Sequence, residues 1–113
     1  MPCIFCEIAT GRRPARMVYD DDQLLAFHDI NPQAPTHVLV IPRRHITSLL
    51  DLTPEDDGLA GALVCKARDI ALEMGIGERG FRLAMNCGDD AGYSVYHIHL
   101  HLLGGRRLGW PPG

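Results

Sequence analysis

The chain has 113 residues, 46% of them hydrophobic and 22% charged, with a formal net charge of −3 when histidine is neutral. That length fits one domain able to bury a core without disulfide staples, and the acidic balance argues against a nucleic-acid partner, whose binding surface is usually basic. No apolar run reaches transmembrane length, and the first seven residues lack the basic and long apolar regions of a signal peptide, so a cytoplasmic protein with no membrane partner is expected.

In chain order, residues 3–10 predict a short helix stopped by Gly11. Residues 17–19 and 24–28 predict two short strands around the polar turn Asp20-Asp21-Asp22. Asn31-Pro32-Gln33-Ala34-Pro35 is a breaker loop. His37-Val38-Leu39-Val40-Ile41, apolar and β-branched, predicts a buried strand ended by Pro42. Thr53-Pro54-Glu55-Asp56 is a helix start: Thr53 can cap, Pro54 suits the first helical position and the acids suit the positive end. Leu59, Leu63, Ile70 and Met74 recur near helical spacing, with Ala67 between, and Gly75 and Gly77 stand where a C-cap belongs. Residues 81–86 predict a strand and residues 87–92 a loop.

His97-Ile98-His99-Leu100-His101-Leu102-Leu103 alternates strictly. This predicts a half-buried strand, its aliphatic residues facing a core and three imidazoles, roughly 6.6 Å apart in succession, on the other face. Gly104-Gly105 then releases the chain into a tail, residues 104–113. Runs of strands around one long helix predict an α+β fold in a single domain, residues 1–113. It has an antiparallel β-sheet of about five strands, one long helix and a short N-terminal helix, with the long helix on one sheet face and the site on the other.

Half of the six histidines lie in that one segment. Their ordinary charge change falls near neutral pH, so together they suit proton transfer, nucleophilic attack or metal binding; a purely structural face is the alternative. Cys3, Cys6, Cys65 and Cys87 read as thiols or metal ligands in a cytoplasmic setting. Cys3-x-x-Cys6 with two histidines would make a tetrahedral zinc set, and two reduced buried cysteines are the other reading. Cys65 and Cys87 read as core or loop thiols. Arg106-Arg107 reads as a solvated pair. No Gly-x-Gly-x-x-Gly or Walker loop is present, so backbone N–H groups of residues 88–94 are the candidate phosphate donors.

The alternating segment matches the His-x-His-x-His-x-x signature, x apolar, of the histidine triad (HIT) superfamily, and the resemblance covers nearly the whole chain. Phe27-His28-Asp29-Ile30-Asn31-Pro32-Gln33-Ala34-Pro35-Thr36-His37 is similar to the family's nucleotide-binding stretch. Val40-Ile41-Pro42-Arg43-Arg44-His45 resembles the strand end that follows it. Trp110-Pro111-Pro112-Gly113 is similar to the tail of the Hint branch, the nucleoside phosphoramidate hydrolases.

The resemblance implies hydrolysis of purine nucleoside 5′-phosphoramidates and aminoacyl-adenylates of the AMP type. His99 would attack the α-phosphorus, and water would resolve the nucleotidyl-histidine. It implies His101 at the phosphate or bridging atom, His37 as a fourth histidine, Ser94 near the leaving group, and His97 completing the catalytic set. For the nucleotide it implies Phe5, Ile8, Phe27 and Ile30 around the base, Asp29 at the ribose hydroxyls, and His28 among the binding residues. Asn86 would lie near the phosphate and ribose, with Gly92 and Ser94 in the phosphate loop and Val95, His99 and His101 also binding the nucleotide. Plain core packing is the alternative for Phe5 and Ile8. The resemblance also implies a structural zinc on Cys3, Cys6, His45 and His97, not required for catalysis, and a homodimer in which each tail reaches the partner's site. A nucleotide-binding interaction protein with little turnover, or a dinucleoside polyphosphate hydrolase, are the competing activities. One departure stands out: Gly92-Tyr93-Ser94-Val95 carries Tyr93 where the family commonly has Gln, and tyrosine cannot offer the same amide contacts.

Overall fold

A computed structural model describes residues 3–113. The chain runs α1 (Ile4–Ala9), β1 (Met17–Asp20), β2 (Leu24–His28), β3 (Thr36–Pro42), α2 (Asp57–Glu73), β4 (Phe81–Ala84) and β5 (Leu100–Gly104). The strands form one antiparallel sheet in the order β1-β2-β3-β5-β4. The expected α+β fold, with five strands, one long helix and a short N-terminal helix, is the fold observed. No helix among the described residues is long and apolar enough to cross a membrane.

The two sheet faces follow from alternation. Leu24, Ala26, Val38, Val40, Leu100 and Leu102 face α2 and pack on its Leu63, Ala67, Ile70 and Ala71. Leu25, Phe27, Leu39 and Ile41 face the other way and pack on Phe5 of α1. β2 and β3 are therefore covered on both faces, which is why they read as continuous apolar runs. The expected helix start falls on a separate 3-10 turn, Pro54–Asp56, in which Asp56 Oδ2 accepts from the Thr53 N–H at 2.9 Å; α2 itself begins only at Asp57, and its N-cap Asp56 makes no side-chain cap bond to it. Gly75 ends the helix at φ +77°, a left-handed conformation that glycine adopts without a Cβ penalty.

Three predicted boundaries move. The histidine segment is strand only from Leu100, because the ladder to β3 ends at Val40 opposite Leu100 and the ladder to β4 ends at Ala84 opposite His101. Residues 97–99 have no ladder partner, and the Ile98 N–H bonds instead to the Ile46 carbonyl at 2.9 Å. For the same reason β4 stops at Ala84 rather than residue 86. Pro42 belongs to β3 as its last residue, where a missing N–H is tolerated.

Candidate active site

On the face away from α2, a cavity of about 440 Å³ opens between α1, β2 and the histidine segment. Phe5, Ile8, Phe27, His28, Asp29, Ile30, Ser94, His99 and His101 line it, as the resemblance implied. Ile4, Arg13, Pro14, Ala15 and Leu39 line it as well. Those five carried no sequence signal beyond proximity to α1 and the strand alternation of β3. Its apolar half is aromatic and aliphatic and its polar half is imidazole and carboxylate, the usual division in a small-molecule site. Phe5 serves both readings, since it is buried in the α1-side core and also walls the cavity. Asn86, Gly92 and Val95 stand outside the lining. The N–H groups of Ala91, Gly92 and Tyr93 are used within their own loop, on the carbonyls of Gly88 and Asp89.

Register sets the imidazoles. His37 lies opposite Leu103 and His101 opposite Leu39, so both histidines share the α1-side face. The backbone fixes their tautomers. The Gln33 N–H donates to His37 Nδ1 at 3.0 Å, so His37 Nε2 carries the proton. That Nε2–H faces His101 Nδ1 at 2.9 Å and Asp29 Oδ2 at 3.4 Å. His101 accepts on Nδ1 and therefore presents Nε2–H. This is the one buried side-chain nitrogen or oxygen without a hydrogen-bond partner among the described residues. His99 is arranged oppositely: its Nδ1–H donates to the His97 carbonyl at 2.8 Å, which leaves Nε2 with a free lone pair. The His99 and His101 rings stand 4.9 Å apart. One presents an electron pair and the other a proton donor.

Burial lowers the pKa of His37, His97 and His99; neighbouring imidazoles add to the effect at His37 and His97, while the His97 carbonyl and Asp29 oppose it at His99. His101 falls to about 4, first through burial and then through the charges of His99 and His37. At neutral pH the pair is uncharged. Asp29, His37 and His101 also bring three donor atoms within 4.8 Å of one another. A metal there would need the Nε2 of His37, which carries the proton because Nδ1 accepts a hydrogen bond from the Gln33 N–H. The trio is a hydrogen-bonded relay.

His97 departs from its expected place beside the other two. It is fully buried and lies outside the cavity lining. Its Nε2–H donates to the Pro42 carbonyl at 2.8 Å, and its Nδ1 faces Cys3 Sγ at 3.4 Å and Cys6 Sγ at 3.5 Å. His45 Nδ1 completes the cluster at 3.3 Å from Cys6 Sγ. The four donor atoms lie within 4.8 Å of one another. Two sulfurs and two imidazole nitrogens fit a tetrahedral zinc set, and the Pro42 carbonyl fixes the tautomer that leaves Nδ1 of His97 free to coordinate. Without a metal, burial pushes the Cys6 thiol up, assisted by the Cys3 thiol beside it. Cys65, read from sequence as a core or loop thiol, is exposed on α2. Arg106, read as solvated, is exposed but donates to the Gln33 carbonyl at 2.9 Å and so braces the loop that orients His37.

A cavity of this size, apolar on one side and bearing two imidazoles and a carboxylate on the other, has the form of a small-molecule site. The HIT domain model matches residues 10–108, and the chain belongs to that family. It is 51% identical over 110 residues to an uncharacterized HIT-like protein of Synechocystis sp., covering 97% of this chain and 96% of that one. Its structure is similar to that of a HIT family hydrolase from Legionella pneumophila, with a TM-score of 0.97, 48% identity and coverage of 99% and 100% of the two chains. It is also similar to a histidine triad protein from Clostridium difficile, with a TM-score of 0.92, 44% identity and coverage of 95% and 93%.

Proposed function

We propose that the protein is a hydrolase of purine nucleoside 5′-phosphoramidates and aminoacyl-adenylates, acting through a covalent nucleotidyl-histidine on His99. The observation that carries this reading is the pair of opposed tautomers, His99 with Nε2 free and His101 with Nε2–H unpartnered. In the first half-reaction the His99 Nε2–phosphorus bond forms as the phosphorus–nitrogen bond to the amine breaks. The amine leaves with the electron pair and takes a proton from His101. His101 is neutral in the free protein, but an anionic phosphate beside it favours the protonated ring; the His37 Nε2–H then turns to Asp29 Oδ2, 3.4 Å away, which frees His101 Nδ1 for the second proton from solvent. In the second half-reaction water attacks phosphorus, its proton returns to His101, the Nε2–phosphorus bond breaks and AMP leaves. Splitting the displacement in two lowers each barrier.

Phe5, Ile8, Phe27 and Ile30 form the slot for the base, and Asp29 accepts from the ribose hydroxyls. The Cys3, Cys6, His45 and His97 set holds a structural zinc that clips α1 to the segment bearing His99, and the chemistry needs no metal. A metal set that needs reduced thiols suits a cytoplasmic location. Two chains associate through the open edge of β4 and the exposed Trp110 tail. Incubation with an AMP phosphoramidate releases AMP, and acid-free quenching traps the adduct. The His99→Ala variant loses both adduct and turnover; unchanged turnover in that variant overturns the reading. A panel that includes diadenosine polyphosphates tests the substrate class.

A further inference from the structure

His99 is bracketed by two aromatic rings. Phe5 meets it edge-on, with centroids 5.1 Å apart and planes at 84°. Tyr93 lies nearly parallel to it, with centroids 5.8 Å apart and planes at 19°. Tyr93 is fixed from several directions. It is 6% exposed, its hydroxyl donates to the Thr47 carbonyl at 2.6 Å, and Tyr96 packs edge-on against it at 5.5 Å. Thr47 follows Ile46, whose carbonyl takes the Ile98 N–H, so the loop before the nucleophile and the nucleophile segment register on the same two residues.

The chemistry of His99 gives that stacked ring a task. Its Nδ1–H is committed to the His97 carbonyl, so a bond formed at Nε2 leaves the imidazole with a positive charge and no proton to release. A π face beside a cation is attractive, most strongly where water is excluded. We propose that Tyr93 is a positioning residue for the nucleophile, holding the His99 ring in plane and stabilising the charge it gains on bonding to phosphorus. The proposal rests on the reading of His99 as the nucleophile. Burial pushes the Tyr93 phenol up, so the ring stays neutral through the working range. A glutamine at this position has an amide for the substrate but no π face for His99.

The test compares the native protein with Tyr93→Phe, Tyr93→Gln and Tyr93→Leu in single-turnover quenches with an AMP phosphoramidate, counting the His99 adduct by mass spectrometry. The ring-proton shifts of His99 are read by NMR without substrate. Tyr93→Phe keeps the ring-current shift and forms adduct within about threefold of the native rate. Tyr93→Leu and Tyr93→Gln lose the shift and form adduct about tenfold more slowly, about 1.4 kcal/mol in barrier, with KM little changed. A native rate in Tyr93→Leu overturns this proposal alone. If Tyr93→Leu does not fold, equal rates in Tyr93→Phe and Tyr93→Gln overturn it. No adduct in the native protein overturns the His99 reading and this proposal with it.

Discussion

A backbone N–H in a proline-rich loop decides which nitrogen of His101 carries a proton, through His37. The alternation of histidines made the imidazoles legible, but not their tautomers. Those depend on the Gln33 amide, the His97 carbonyl and the Pro42 carbonyl, which are main-chain groups that any sequence carries. Burial of His101 has a measurable cost. Its pKa drops from 6.5 to about 4 on folding, so between those pH values the unfolded chain binds a proton that the folded protein refuses. Stability therefore falls as pH drops through that window and levels off below it. The expected loss from this residue is about 2 kcal/mol, the shift being discounted for solvent reaching a half-buried ring. Urea unfolding at pH 7 and pH 4.5 checks this: the loss shrinks in His101→Gln, and an unchanged difference contradicts it.

At the scale of elements, α1 does more than its six residues suggest. Its Phe5 is a wall of the cavity and a neighbour of His99, while Cys3 at its N-cap and Cys6 within it meet His97 and His45. A metal held by that set would fix one side of the cavity. A site held at about a thousandfold above its Kd contributes about 4 kcal/mol to stability. Chelation, or Cys6→Ser, is expected to lower Tm and weaken AMP binding in calorimetry, while adduct formation persists at saturating substrate; an unchanged Tm after metal removal contradicts the clip. The sequence made α1, α2 and the apolar strands readable because each carries its own period or cap. It misplaced the start of β5 because alternation reports which faces are buried, not whether a partner strand lies alongside. Residues 97–99 keep the alternation and lack the ladder.

The whole molecule is one sheet with two unlike faces, and its outer strand β4 has a free edge. The tail is tied to that strand through one side chain: Arg82 donates to the Gly109 carbonyl at 2.9 Å, and its guanidinium lies 5.9 Å from the Trp110 ring centre. Trp110 is nevertheless 82% exposed, and an open strand edge beside exposed aromatic surface favours self-association. Light scattering at micromolar concentration is expected to give the dimer mass; a monomer mass contradicts the proposed assembly. The order of the strands carries one more consequence. β5 is made last and inserts between β3 and β4, and the contact between Cys3 and His97 closes across 94 positions. During synthesis neither inner edge can be satisfied until the final residues leave the ribosome. A message truncated before that point yields a sticky, inert fragment rather than a slower enzyme.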